Sequence, residues 1–336
     1  EVLKKYCKEV HVVNISKIRI LFNLMNAFFN GTPLQVGYFY NSSIQKKFSA
    51  FAEKVKPDRI YCQLIRTAKF IEGRKEKKVL DYMDVFSKGI ERRIDKVSFP
   101  LKAIFKMEGK RLLRFEEEVF GWFDERTIIT EQDRNLIPAK ENKKIHIVPN
   151  GVDMDFFQPQ SLKKEFDILF NGNMSYPPNV EAVVFLCEKV LPILKKKNPA
   201  IKILISGTKP TAKVLSLKSE NVFVSGWVDD VRENFAKSKI LVAPMQSSIG
   251  LQNKLLEGMA MGIPCLTTSL ANNALKAEKG KEILVADTPE IFAENIFFLL
   301  ENNAFYNTIV ANAFGFIQKN FSWQTINQKL AEIISE

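Results

Sequence analysis

Lys254 and Glu257 lie three residues apart in the segment 250–268, GLQNKLLEGMAMGIPCLTT. On a helix that spacing puts both on one face. Leu255, Leu256, Met259 and Ala260 supply the apolar face that buries such a helix. Gly262, suited to a left-handed C′ position, and then Pro264 end it. Cys265 to Thr268 reads as the following strand. A lysine beside a helix N-terminus is suited to a diphosphate, and a carboxylate one turn further on can hold ribose hydroxyls. The same pattern describes a surface ion pair on an ordinary amphipathic helix, and the spacing alone favours that plainer reading.

The elements around this segment alternate. In the first half, strands are expected at 10–14, 59–63, 79–82, 127–130 and 145–148, with a long helix from about Leu101 to Phe123. In the second half, strands are expected at 167–170, 201–206, 222–224, 240–243, 265–268 and 283–285. Helices fall between them, and Ser322 is placed to cap a last helix at about 323–334. Strands alternating with helices predict parallel sheets, here one in each half. Ligands of such sheets sit at the carboxyl ends of the strands. Glu1 to Cys7 reads as the end of a helix already under way, so an initial strand–loop–helix unit is expected to be missing from this chain.

The chain has 336 residues, enough for two domains, and is 46% hydrophobic and 26% charged, as in a folded globular protein. It has no apolar run of the roughly 20 residues that span a bilayer. Cys7, Cys62, Cys187 and Cys265 are far apart in apolar contexts and read as reduced core thiols, which suits the cytoplasm. His11 and His146, both in expected strands, argue against a His-based metal site. The net charge of +11 lies wholly in residues 1–150, which hold 30 Lys and Arg against 19 Asp and Glu. That half is expected to face something anionic, although a solubility charge gives the same count.

Two further loops of the second half could meet the Lys254 segment at strand ends. Phe170 to Asn179 places Gly172 and Asn173 after a strand, with Asn179 positioned to cap the next helix. Ser225 to Asp230 holds Gly226, Trp227 and Val228, where a flat base could pack, or a plain turn capped by Asp229. Pro149 to Asp153 is a turn cluster; Asp153-Met154-Asp155 resembles an acidic metal triplet but belongs to a turn and linker.

These loops, in this order, carry a resemblance. PNGVD at 149–153, GNMSYPPN at 172–179, Gly226-Trp227-Val228 with Asp230, and the 250–268 segment resemble the nucleotide-binding domain of a GT-B fold glycosyltransferase of family 4. VLDYMDVFS at 79–87 and EGKRLLRFE at 108–116 resemble its branch of polysaccharide-associated sugar transferases. The resemblance implies two Rossmann-like domains facing across a cleft: 1–152 on the acceptor side, 153–320 binding the nucleotide sugar, and a helix at 321–336 packing back on the first. It implies a retaining, metal-independent glycosyltransferase with no cofactor. A sugar would pass from a nucleotide-sugar donor to a glycan or lipid-linked acceptor in cell-surface polysaccharide biosynthesis. Lys254 would neutralise the donor diphosphate, Glu257 would accept from ribose hydroxyls, and Asp84 would face the transferred sugar. Gly172 and Asn173 would lie beside the phosphates, Gly226, Trp227 and Val228 would hold the base, and Gly250, Leu251, Gln252 and Asn253 would line the helix start.

The chain departs from the family's pattern in four places. Asn173, Met174 and Ser175 stand where relatives often have an Arg/Lys pair, Ile249 where many have a second Glu, and Met83 where a His is frequent; the first-domain Gly-rich loop is absent. Two rival readings follow. A non-catalytic or impaired GT-B nucleotide-sugar-binding protein accommodates the departures, whereas a GT-B epimerase would want cleft histidines this chain lacks. Residues 15–29, ISKIRILFNLMNAFF, read either as an internal helix packed on the sheet or as a basic apolar segment for an anionic membrane. With the +11 half, a peripheral position on the inner face of the cytoplasmic membrane is expected. No basic groove interleaved with aromatics suggests nucleic acid.

Overall fold

The structure, a computed structural model, describes residues 2–247 and 250–335. It divides into two compact units, Glu1–Ile147 with Ile333–Glu336, and Val148–Glu332.

The first unit holds a four-stranded parallel sheet in the order β1-β2-β3-β4, formed by Arg59–Gln63, Lys77–Asp81, Glu125–Ile128 and His146–Ile147. Its core gathers Ile65, Leu80, Tyr82, Leu112, Val119 and Ile128. Residues 10–14 form no strand: Val12 is 79% exposed, and β1 pairs only with β2 among the described residues. β-branched residues favour a strand only where a neighbouring edge takes up their N–H and C=O groups. His11 accordingly leaves the expected strand and meets Glu9 at 3.1 Å. Cys7 is exposed, against the expectation of a core thiol, while Cys62 and Cys265 are buried and Cys187 is partly so.

The helix Leu101–Phe120 organises this unit through the residues of its 108–116 motif. Buried Glu108 accepts from the N–H groups of Leu34 (2.7 Å) and Gln35 (3.0 Å), the start of the turn Leu34–Gly37. Arg111 donates to the carbonyls of Ala27 (3.2 Å) and Phe28 (2.8 Å), near the end of the helix Lys17–Asn30. Buried Glu116 accepts from both the N–H and the hydroxyl of Ser87, at the start of the helix Phe86–Glu91. Each satisfies orphan groups at a helix end that would otherwise lose hydrogen bonds on burial. The helix Lys17–Asn30 itself buries only Asn23 and Ala27 and leaves Ile18, Leu21, Phe22, Met25, Phe28 and Phe29 exposed, so the internal packing expected of it is not seen.

The second unit is a six-stranded parallel sheet. Its strands are β5 (Phe166–Asn171), β6 (Ile203–Ser206), β7 (Val222–Gly226), β8 (Ser238–Ala243), β9 (Cys265–Thr267) and β10 (Leu284–Val285). The order is β10-β9-β8-β5-β6-β7. Ile168, Leu169 and Phe170 of β5 and Ile240 to Ala243 of β8 are fully buried, as central strands covered on both faces must be. The chain runs outward one way from β5 through β6 and β7, and the other way from β8 through β9 and β10. The direction reverses between β5 and β8, so their following loops flank the crevice where doubly wound sheets bind ligands.

Candidate functional site

The loops after β5 and β8 carry the chemistry. The helix Asn253–Ala260 follows β8, and its N-cap, Gln252, supplies no side-chain cap. Its C-terminus closes as the sequence requires: Gly262 has φ +68°, its N–H meets the Met259 carbonyl (3.2 Å), and that of Ile263 meets the Gly258 carbonyl (3.1 Å). This is the Schellman pattern that only a residue tolerant of left-handed φ completes easily. The helix is thereby fixed at both depth and register, with Leu255, Leu256, Met259 and Ala260 in the core.

Lys254 is the unexpected member of that buried face, being only 8% exposed. Its Nζ donates to Asn179 Oδ1 at 2.8 Å and to Gln252 Oε1 at 3.3 Å, touches Met245 Sδ at 3.9 Å, and lies 4.8 Å from the centre of the Phe170 ring. Among the described residues no carboxylate lies within ion-pair range of it. Burial pulls its pKa down to about 8, against the opposing pull of Glu257. Glu257 is pushed above the usual carboxylate range by its own burial, partly offset by Lys254 and by Asn171, whose Nδ2 lies 3.4 Å from Oε2. The two side chains therefore share a face, as the spacing requires, but this is no surface pair. A cation held by neutral oxygens keeps its charge for an incoming anion.

Backbone packing sets the floor of the crevice. Gly172 N–H donates to the Ser206 carbonyl at 3.0 Å, and Met174 N–H to the Thr208 carbonyl at 2.8 Å. Gly207 has φ +135°, and a Cβ there would stand 1.7 Å from the Gly172 carbonyl oxygen. Its N–H meets the Gly226 carbonyl at 3.1 Å, tying together the loops after β5, β6 and β7. A Cβ on Gly172 would be 2.8 Å from Asn179 Nδ2 and 3.4 Å from Lys254 Cε. Glycine is required here so that an amide and a lysine stem can lie against the loop.

The structure thus gathers Gly172, Asn173, Gln252, Lys254 and Glu257 around one strand-end crevice. Asn253 lies at the helix start, 3.5 Å from Asn150, and Gly250 and Leu251 lead into it, with Gln252 Nε2 donating to the Gly250 carbonyl (2.8 Å). Gly226, with φ +72°, and Val228 lie on the β7 loop, where Trp227 is 66% exposed; the contacts of Lys254 go instead to Asn179, Gln252, Met245 and Phe170. Ile249 lies outside the described residues. Asp84 belongs to the first unit, after β2. It accepts from Val85 N–H (2.7 Å) and follows Met83, a non-glycine residue at φ +57°. Asp153 spends its carboxylate on the N–H groups of Asp155 (3.1 Å) and Phe156 (2.9 Å), a turn role and not a metal triplet's. Asp230, not Asp229, caps the helix Val231–Ala236.

Sequence reasoning missed Asn171, Asn179, Gly207 and Met245. Asn179 was expected to cap its helix, but the cap position is Tyr176 and Asn179 turns inward. Lys254 needs a buried acceptor, and Asn179 is a polar residue at a core-facing position after Pro177-Pro178; that was the available signal.

Residues 165–302 match the family described as Glycosyl transferases, group 1. A 44.6 kDa protein in the cps region of Klebsiella pneumoniae is 24% identical over 338 residues, covering 95% of this chain and 83% of that one. Among solved structures, Anabaena Alr3699/HepE in complex with UDP is similar with a TM-score of 0.66 at 15% identity, covering 86% of this chain and 81% of that one. Sucrose-phosphate synthase from Thermosynechococcus elongatus is similar with a TM-score of 0.65 at 14% identity, over 86% of this chain and 76% of that one.

Proposed function

We propose that this chain, a group 1 glycosyltransferase of GT-B fold, moves a sugar from a nucleotide-sugar donor with retention of configuration and without a metal. The observation that carries the reading is Lys254: a buried ammonium at the first turn of the helix Asn253–Ala260, hydrogen-bonded to neutral oxygens and offset only in part by Glu257, in the crevice between the β5 and β8 loops. Leaving diphosphate gains charge as the glycosidic bond breaks. Lys254 and the start of the helix would stabilise that charge without rearrangement. Glu257, one turn deeper, accepts from ribose hydroxyls, and a phosphate oxygen takes the acceptor proton.

A glycan or lipid-linked acceptor in polysaccharide biosynthesis fits the likeness to the cps-region protein. The exposed apolar face of the helix Lys17–Asn30, with Lys17 and Arg19 at its start, supports peripheral binding to anionic lipid on the cytoplasmic side. Among the described residues no helix is long and apolar enough to cross a membrane.

The test is calorimetric titration with UDP and with UDP-, GDP- and other nucleotide sugars, on the native chain and on Glu257→Gln. A donor is expected to bind, with affinity weakened about tenfold in the variant through the ribose contact. Heat from no nucleotide would overturn the reading, and equal affinity in both proteins would remove Glu257 from it.

A further inference from the structure

We propose that Asn179 is the positioning residue for Lys254: its carboxamide holds the ammonium by one edge and the loop after β5 by the other. The proposal deepens the reading above and rests on it for the identity of the incoming anion. Asn179 Oδ1 accepts from Lys254 Nζ at 2.8 Å, while its Nδ2 donates to the Asn173 carbonyl at 2.9 Å. Asn179 is 5% exposed, so both bonds are made away from competing water. A single buried amide therefore links the helix Asn253–Ala260 to the loop that begins at Gly172.

Three features make this joint specific. Pro177 and Pro178 occupy the first two positions of the helix Pro177–Phe185, fixing the φ angles from which Asn179 projects. Gly172 leaves the space that the amide and the lysine stem fill. An amide is also the right chemistry. A carboxylate of the same shape would bind the ammonium more tightly and cancel its charge, whereas the amide dipole orients the ammonium and leaves the charge whole. The groups facing Lys254 are otherwise Phe170 from β5, Met245 from the loop after β8, Gln252, and Glu257 on its own helix. Among the described residues Glu257 is the titratable group whose charge it feels. Replacing the neutral amide with a second carboxylate should therefore register directly on the lysine.

The experiment is competitive acetylation of the full chain across pH, read at Lys254 by peptide mass spectrometry without ligand, for the native chain, Asn179→Asp and Asn179→Ala. Asn179→Asp is expected to raise the Lys254 titration midpoint by about one unit or more. Asn179→Ala releases the amine, which labels faster at every pH. Circular dichroism and thermal melting establish that each variant is folded. UDP titration on the same samples is expected to show affinity reduced about tenfold or more in both variants. Lys254 labelling identical to native in both folded variants would overturn the proposal, even where native UDP binding upholds the donor site. Labelling that shifts as stated, in a chain that binds no UDP, would support the role of Asn179 and overturn the donor reading instead.

Discussion

Lys254→Met should make the protein more stable while abolishing transfer. Methionine keeps the length and apolar stem of the lysine and removes its charge. The wild-type lysine is protonated at pH 7 inside the protein, where burial lowers its pKa from 10.5 to about 8. At about 1.4 kcal/mol per unit, holding that charge in the fold costs about 3 kcal/mol. Against this gain, the variant leaves Asn179 Oδ1 without its donor, a loss of about 1–2 kcal/mol. The balance is a stabilisation of about 1–2 kcal/mol, a rise in Tm of about 2–8 °C for a unit of this size. The pH dependence gives a second, sharper signature. Between about 8 and 10.5 the folded lysine has lost its proton and the unfolded one has not, so wild-type stability gains with rising pH in that window. The variant's advantage is therefore full at pH 7 and below, shrinks from pH 8 upward, and is gone by about pH 10. Cys265, whose thiol burial pushes up, opposes the trend equally in both proteins and cancels in the difference. Calorimetric melting of the two proteins at pH 7 and pH 9, with transfer assayed alongside, reads all three quantities. Loss of the diphosphate cation should lower turnover at least about a hundredfold. A variant that melts lower than wild type at pH 7, or whose offset is the same at both pH values, would refute the view of Lys254 as a buried charge that costs the fold stability.

Two further outcomes are expected. Gly207→Ala places a Cβ 1.7 Å from the Gly172 carbonyl at a φ of +135°, so it should cost about 3 kcal/mol or more in urea unfolding and weaken UDP binding; a loss below about 1 kcal/mol would show that the three loops are not locked as described. The chain should co-sediment with phosphatidylglycerol vesicles and not with phosphatidylcholine, the binding falling with added salt and in Phe22→Ser/Phe29→Ser; salt-independent binding, or none to the anionic vesicles, would remove the membrane from the account.

Much of the fold was legible because central parallel strands announce themselves. Ile168 to Phe170 and Ile240 to Ala243 are unbroken apolar runs, and both fall within strands, which pair side by side in the sheet. Gly262 announced the end of its helix for an equally local reason, since few residues other than glycine take φ +68° easily. Residues 10–14 failed as a strand because pairing is a non-local condition that composition cannot supply. The helix Lys17–Asn30 failed as a core helix for a related reason: apolar content says that a face can be buried, not that a surface is present to bury it.

The site divides the same way. Lys254 and Glu257 were found by their spacing, yet their character was not, because spacing cannot distinguish a solvated pair from a buried one. What decides it is residues outside the helix: Asn179, Phe170 on β5 and Met245 after β8, which surround the ammonium with neutral groups and leave Glu257 as the charge that partly offsets its burial. The same holds for the 108–116 motif. It marked a resemblance to a branch of sugar transferases, and in the fold Glu108, Arg111 and Glu116 are buried or half-buried anchors for three helix ends. A buried carboxylate that is fully hydrogen-bonded has its charge answered within the fold; a buried ammonium held by amide oxygens, with Glu257 acting on it only from beyond ion-pair range, is answered in part. That difference in compensation, invisible in the sequence of either helix, is what sets Lys254 apart as the residue with charge left to give.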